Sequence, residues 1–200
     1  MHLKLITPPR GEPVGIEEAK KYLRVETSDD QAIIENLITT ARLAVESYTG
    51  RTLMTQTWRL TLPQTNPALS TCLVDPFNRT KITVKFPGNP FIGLQGHPKL
   101  VSQDSSREIK NYHVVKGFFQ ALLGINGLSL NETQSLQVDF MCGYGDSPEE
   151  VPLTFRQAIL MLVAELYDNR NGQSSHSAQP AFINDAVACL LKPLRCLTVL

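Results

Sequence analysis

Residues 140–151 read FMCGYGDSPEEV, a GxG pair between an apolar run and a candidate helix. Glycines so placed can open a backbone cradle for phosphate, but a P-loop also needs a lysine to neutralise the charge. Here Gly143 and Gly145 are followed by Asp146, Glu149 and Glu150, with no lysine and no third glycine in the helix's first turn. Three carboxylates at that point repel a phosphate. The spacing therefore reads as a corner where a strand turns into a helix. The same acids lack the spacing of a calcium loop, and no histidine joins them. His2, His97, His113 and His176 lie far apart, and none pairs in sequence with a credible Ser or Cys nucleophile. Cys72, Cys142, Cys189 and Cys196 are scattered without a CxxC, so reduced thiols are expected and a zinc site is not. No catalytic, cofactor-binding or metal residue emerges.

The bulk properties point the same way. A 42% hydrophobic and 19% charged chain of 200 residues suits one ordinary globular domain. Nineteen basic and nineteen acidic residues cancel, so no overall field draws the molecule to nucleic acid or an anionic membrane. The charge is nonetheless uneven: residues 79–116 carry seven bases against two acids, and residues 11–50 eight acids against four bases. Opposite signs on separate segments could bring neighbouring copies together, but solvated loops are the preferred reading. The opening MHLKLITPPRG has no apolar stretch long enough for a signal peptide. The run AILMLVA at 158–164 is far too short to cross a bilayer.

The elements that position these groups follow from periodicity. GIEEAKKYLRV predicts a short helix over 15–25. SDDQAIIENLITTARLAVESYTG predicts a long one over 29–49, with Ser28 and Gln31 as a capping box and Gly50 as its stop. Its apolar stripe is Ile34, Leu37, Ile38, Ala41, Val45 and Tyr48. RTLMTQTWRLTL, KITVKF, NYHVVKGFF and SLQVDFMC are strand candidates. Between them, 87–110 is rich in Gly, Pro and Ser and is expected as a long loop. FRQAILMLVAELYDNRNG predicts the central buried helix, over 152–170, with Arg156 and Arg170 on a solvated face. A polar linker from residue 173 leads to a short helix FINDAVACLL and the tail KPLRCLTVL.

Several of these segments together resemble the phage head–tail connector (adaptor) proteins, the gp6-like family with relatives in prophages and gene transfer agents. The resemblance rests on Leu23-Arg24-Val25, Asp29-Asp30, Tyr48-Thr49-Gly50-Arg51 and Thr55-Gln56-Thr57-Trp58. It continues in GYGDSPEEVPLTFRQAILMLVAELYDNR and in LLKPLR at 190–195, whereas 63–134 matches poorly. It implies an α+β, mainly α fold: a bundle of long helices with a small antiparallel β-sheet inserted between helix 2 and the central helix. Residues 1–172 would form the connector domain, with sheet 53–142, and 173–200 the linker, short helix and tail. The implied function is structural and non-enzymatic, a ring (twelve-fold) under the portal, joining capsid to tail in a virion assembled in the host cytoplasm. Implied partners are the portal protein, neighbouring copies, a tail-side connector or stopper, and DNA passing without sequence-specific contact. No cofactor and no membrane is implied.

Two segments are then candidates for contact. Phe182, Ile183, Val187, Leu190, Leu191, Leu194, Arg195 and Leu197 are expected to bind the portal, because a short apolar helix beyond a linker is marginal by itself. On that reading a chain lacking 182–200 would still fold. Lys99, Arg107 and Lys110 are expected to face the channel or the next subunit. The alternatives are a small enzyme assembled from distant residues and a weak DNA-binding module. Light scattering on the purified protein separates them, since only a connector forms a large ring or a portal-bound oligomer.

Overall fold

The computed structural model describes residues 2–63, 73–74, 80–85, 90–102, 106–116, 121–126, 135–169 and 183–195. Two compact units divide the chain: Met1–Pro8 with Thr55–Gly143, and Pro9–Met54 with Tyr144–Leu200.

The first unit contains ten strands among its described residues: β1 (His2–Thr7), β2 (Gln56–Pro63), β3 (Leu73–Val74), β4 (Thr80–Lys85), β5 (Phe91–Leu94), β6 (Lys99–Val101), β7 (Ser106–Glu108), β8 (Tyr112–Lys116), β9 (Ala121–Asn126) and β10 (Ser135–Cys142). A six-stranded sheet runs β1-β2-β10-β6-β7, with β5 also on β10, and a four-stranded sheet runs β3-β4-β9-β8. Alternation in β10 explains the register. Leu136, Val138, Phe140 and Cys142 are buried, while Gln137, Asp139 and Met141 take the other face. Opposite them, Leu62, Leu60 and Trp58 of β2 fall on the same apolar face. Leu123 and Ile125 of β9 join Leu60, Leu62, Leu136 and Phe140 in one buried cluster, so the two sheets share a core. On the polar face Arg59 forks onto Asp139, its cross-strand neighbour, at 2.7 and 2.8 Å.

The second unit carries the helices: α1 (Ile16–Leu23), α2 (Gln31–Thr49), α3 (Leu153–Asp168) and α4 (Asp185–Leu191). Ile38, Ala41 and Val45 of α2 are buried in one cluster with Ile159, Leu162 and Val163 of α3, as their spacing predicts. Leu37 packs half-buried against that cluster, and Leu166 is also half-buried. Gly50 ends α2 with φ 65° and donates its N–H to Glu46 O. The capping box expected at Ser28 is absent: α2 begins at Gln31, and Asp30 makes no side-chain cap bond. Tertiary structure has taken that carboxylate, which accepts a hydrogen bond from Tyr167 Oη at 2.5 Å. Arg156 lies not on a solvated face but against Glu18 of α1, 2.8 Å away. Arg170 lies outside the described residues. No described helix is long and apolar enough to cross a membrane.

The expected architecture needs correction. The β part is neither small nor a single sheet, and it is not wholly inserted after α2. β1 comes from ahead of α1 and pairs with β2 through Leu3↔Leu60 and Leu5↔Trp58. The segment 87–110, expected as a loop, supplies β5, β6 and β7 among its described residues, with Leu100 and Ile109 buried. Strands of three or four residues carry too little alternation to show in composition. Pairing decides them: β5 and β6 lie on β10, some forty residues further along, and β7 lies on β6. The fold is an antiparallel two-sheet unit joined to a unit with two long helices, rather than a helical bundle bearing a small sheet.

Candidate functional site

The GxG corner resolves at atomic detail. Gly143 has φ 137°, a conformation that side chains disfavour. Tyr144 donates its N–H to Leu53 O at 2.9 Å, and Gly145 bridges Met54 in parallel. A Cβ on Gly145 would collide with the Glu150 carboxylate. That carboxylate accepts the N–H of Ser147 at 3.0 Å, so the place a phosphate would need already holds an anion. The 3-10 turn Pro148–Glu150 follows, and α3 starts after Pro152. The Ser147 hydroxyl donates to Glu149 and is the main cause holding that carboxyl below the usual carboxylate range; Arg156 adds to it. A depressed value in the folded state contributes stability above the ordinary carboxylate pKa and loses it as pH falls through the depressed one. On the first unit's polar face, the hydrogen bond from Arg59 to Asp139 raises the guanidinium pKa.

Gly145→Ala is expected to drive Glu150 out of the corner, costing about 0.5–2 kcal/mol, the range for a lost helix cap. In a Glu150→Ala background the same change should cost almost nothing, because the two residues share one space. Urea denaturation of the four proteins measures this, and strictly additive losses would contradict it.

The corner also lies beside the LLKPLR segment. Arg51, just past the Gly50 stop, donates from Nε to Leu194 O at 2.5 Å and from Nη1 to Tyr144 Oη at 3.3 Å. The Arg195 guanidinium lies over the Tyr48 ring, 5.1 Å from its centroid. The stop of α2, the GYG corner and the LLKPLR segment thus meet in one clasp. Sequence reasoning named Leu194 and Arg195 for this region but missed Tyr48, Arg51 and Tyr144 as their seat. The available signal was that all three stand in the motifs Tyr-Thr-Gly-Arg and Gly-Tyr-Gly.

The other C-terminal residues divide. Val187 and Leu191 are fully buried in the core of the second unit. Ile183, Leu190 and Leu194 are half-buried against that core. Asn184 fastens the helix, accepting from Val187 N at 2.8 Å and donating Nδ2 to Glu165 at 2.7 Å. Arg195 is exposed, and Phe182 and Leu197 lie outside the described residues. A chain lacking 182–200 therefore loses part of its own core, at roughly 1.5–3 kcal/mol for each fully buried aliphatic side chain. Elsewhere, Lys99, Arg107 and Lys110 are all exposed. Lys99 and Glu108 face one another across β6 and β7, so its charge has an acidic neighbour. Among the described residues no cluster of three or more His, Cys, Asp or Glu could hold a metal ion.

The described residues define a two-sheet unit and a helical unit, and in the second of these Leu194 and Arg195 are held against Arg51 and Tyr48. The sequence matches the family described as phage gp6-like head-tail connector protein over residues 14–74 and 100–195, well over half the chain. The chain belongs to that family, and its role is that of a structural head–tail connector in a phage-like virion. Among curated proteins, none matches it in sequence. Its fold is similar to a chain in the neck of an empty GTA particle computed with C6 symmetry: TM-score 0.77, 20% identity, covering 100% of this chain and 98% of that one. It is also similar to a chain in the virion of a native gene transfer agent (GTA) particle, with TM-score 0.73, 21% identity and the same coverage. A third likeness is to the neck of a native GTA particle computed with C12 symmetry, with TM-score 0.73, 20% identity and again the same coverage.

Proposed function

We propose that this chain forms a ring, twelve-fold in the complete particle, at the head–tail interface of a phage or gene transfer agent. The ring sits between the portal protein and a tail-side connector or stopper, around a channel for DNA, and performs no catalysis. The family membership supports this reading, together with the cyclic symmetry under which similar folds were solved. The observation that carries it furthest is the clasp: Arg51, Tyr144 and Tyr48 hold Leu194 and Arg195 at a fixed point. We assign the portal contact to the residues that follow in sequence, 196–200, CLTVL. Val187 and Leu191 act as the anchor of that contact, with Ile183 and Leu190 beside them, and Phe182, Leu194, Arg195 and Leu197 as its contact residues. Lys99, Arg107 and Lys110 face the channel or the next subunit.

Two truncations test it. Removing 196–200 is expected to leave the melting temperature unchanged and to abolish sedimentation with portal-bearing heads. Removing 183–200 is expected to lower the melting temperature as well, because the core loses Val187 and Leu191. Normal attachment without residues 196–200 would move the portal contact elsewhere. A wild-type chain that neither attaches to heads nor assembles would remove the proposed function.

A further inference from the structure

We infer that the basic β6–β7 edge of one copy docks on the acidic helical unit of the next. The first unit carries nine Lys and Arg against five Asp and Glu, and the second ten against fourteen. The ion pairs among the described residues each join groups of one unit: Arg42 with Glu12 and Glu46, Arg156 with Glu18, and Arg59 with Asp139. Lys99, Arg107 and Lys110 are exposed and belong to none of them. Solvated loops no longer account for these bases. Lys99 stands on β6 and Arg107 on β7, the strand that ends its sheet. Ile109 is buried and donates its N–H to Pro98 O at 2.8 Å, which fixes the place of Lys110. Glu108, opposite Lys99, is the one acid on the two strands. Charges held on paired strands lose less freedom on meeting a partner than charges on a loop.

DNA is the weaker fit to this edge. With three bases per copy turned to the channel, a twelve-fold ring would set about 36 cations around the duplex, and each phosphate neutralised adds affinity. Such a ring would hold the DNA it has to pass. The helical unit of a second copy offers the opposite sign. Nine of its exposed residues are acids and five are bases, among those described. Tyr167 donates to Asp30 at 2.5 Å, which brings the end of α3 to the start of α2. Asp168 and Asp29, neighbours of that pair in sequence, therefore stand at one end of the unit, with Glu26 just ahead. All three are exposed, and none is in an ion pair among the described residues. A basic edge and an acidic end are unlike surfaces, so the contact repeats head to tail, as a ring requires. Opposite charge here selects and orients the neighbour.

This inference rests on the ring proposed above, and the experiment separates the two. One variant carries Lys99→Glu, Arg107→Glu and Lys110→Glu; the other carries Glu26→Lys, Asp29→Lys and Asp168→Lys. Every replaced side chain is exposed, so both far-ultraviolet spectra should match the wild type. Each variant alone should remain as single chains of 22.2 kDa by light scattering, since like charges then meet at every contact. An equal mixture should assemble, with both chains in equal amounts, because the reversed edge of one then meets the reversed end of the other. The wild-type multimer should weaken as salt rises. Mass is read on the free protein and as copies retained per portal-bearing head. If both variants assemble alone like the wild type, or the mixture stays as single chains, this contact is wrong and the ring stands. If the first variant assembles normally but loses retention on duplex DNA, the bases face the channel and the contact is again wrong. If the wild type assembles in neither setting, the ring reading fails and this contact with it.

Discussion

Replacing Arg42 with alanine is expected to destabilise the second unit by about 3–5 kcal/mol, the range for breaking a buried ion pair from one side. Arg42 is 6% exposed and sits between two carboxylates. Its Nε donates to Glu12 Oε2 at 2.7 Å and its Nη1 to Glu46 Oε2 at 2.9 Å. The acids are further committed: Glu46 Oε1 accepts the N–H of Leu53 at 2.8 Å, and Glu12 Oε1 accepts Thr39 Oγ1 at 3.0 Å. One guanidinium thus ties the segment before α1, the last turns of α2 and the strand entry after Gly50 together. Without it, two partly buried carboxylates remain near each other with no cation. Urea denaturation of Arg42→Ala beside the wild type measures the loss. Replacing Arg42, Glu12 and Glu46 together by apolar residues of similar volume should recover most of it, since the cost lies in unpaired charge rather than in the absent pair. A loss in Arg42→Ala below about 1 kcal/mol, the range of exposed pairs, would show that water already screens the cluster.

Leu162→Ala is expected to cost about 2–5 kcal/mol, the range for truncating a buried leucine. Leu162 is 1% exposed and packs at the centre of the α2–α3 cluster with Ile159, Val163, Ile38, Ala41 and Val45. Two terms add: the transfer energy of the lost methyl groups, and the cavity left where neighbouring helices cannot close the gap. Both helices are held elsewhere, by the Arg156–Glu18 pair and by Tyr167 on Asp30, so collapse into the gap is restricted. Denaturant midpoints at unchanged slope give the value. A change below about 0.5 kcal/mol, typical of surface sites, would mean that α3 does not pack as described.

Single elements with strong periodicity were legible in the sequence. The α2 stripe, the apolar run of α3, the alternation of β10 and the Gly50 stop each depend on residues within a few positions of one another, and each stands where its pattern places it. The GxG corner was legible for a similar reason: the acids that exclude phosphate follow directly on the glycines. β1 and β9 were missed. HLKLIT is six residues exposed along a sheet edge, and no alternation of burial marks it. It is a strand because β2 lies beside it.

The sequence by itself determined the helix periods, the strand alternation of β10, the corner and the connector family. Only the tertiary structure decided that 87–110 pairs into a sheet, that Arg42 is buried between Glu12 and Glu46, and that Val187 and Leu191 are core rather than reach. It also decided that Arg51 holds Leu194 across 143 positions of chain. The physical reason is range. Periodicity is a local property, because one side chain's direction is set by its own backbone. A hydrogen bond or an ion pair is a property of two groups brought within about 3 Å by everything between them, and neither partner alone carries its mark.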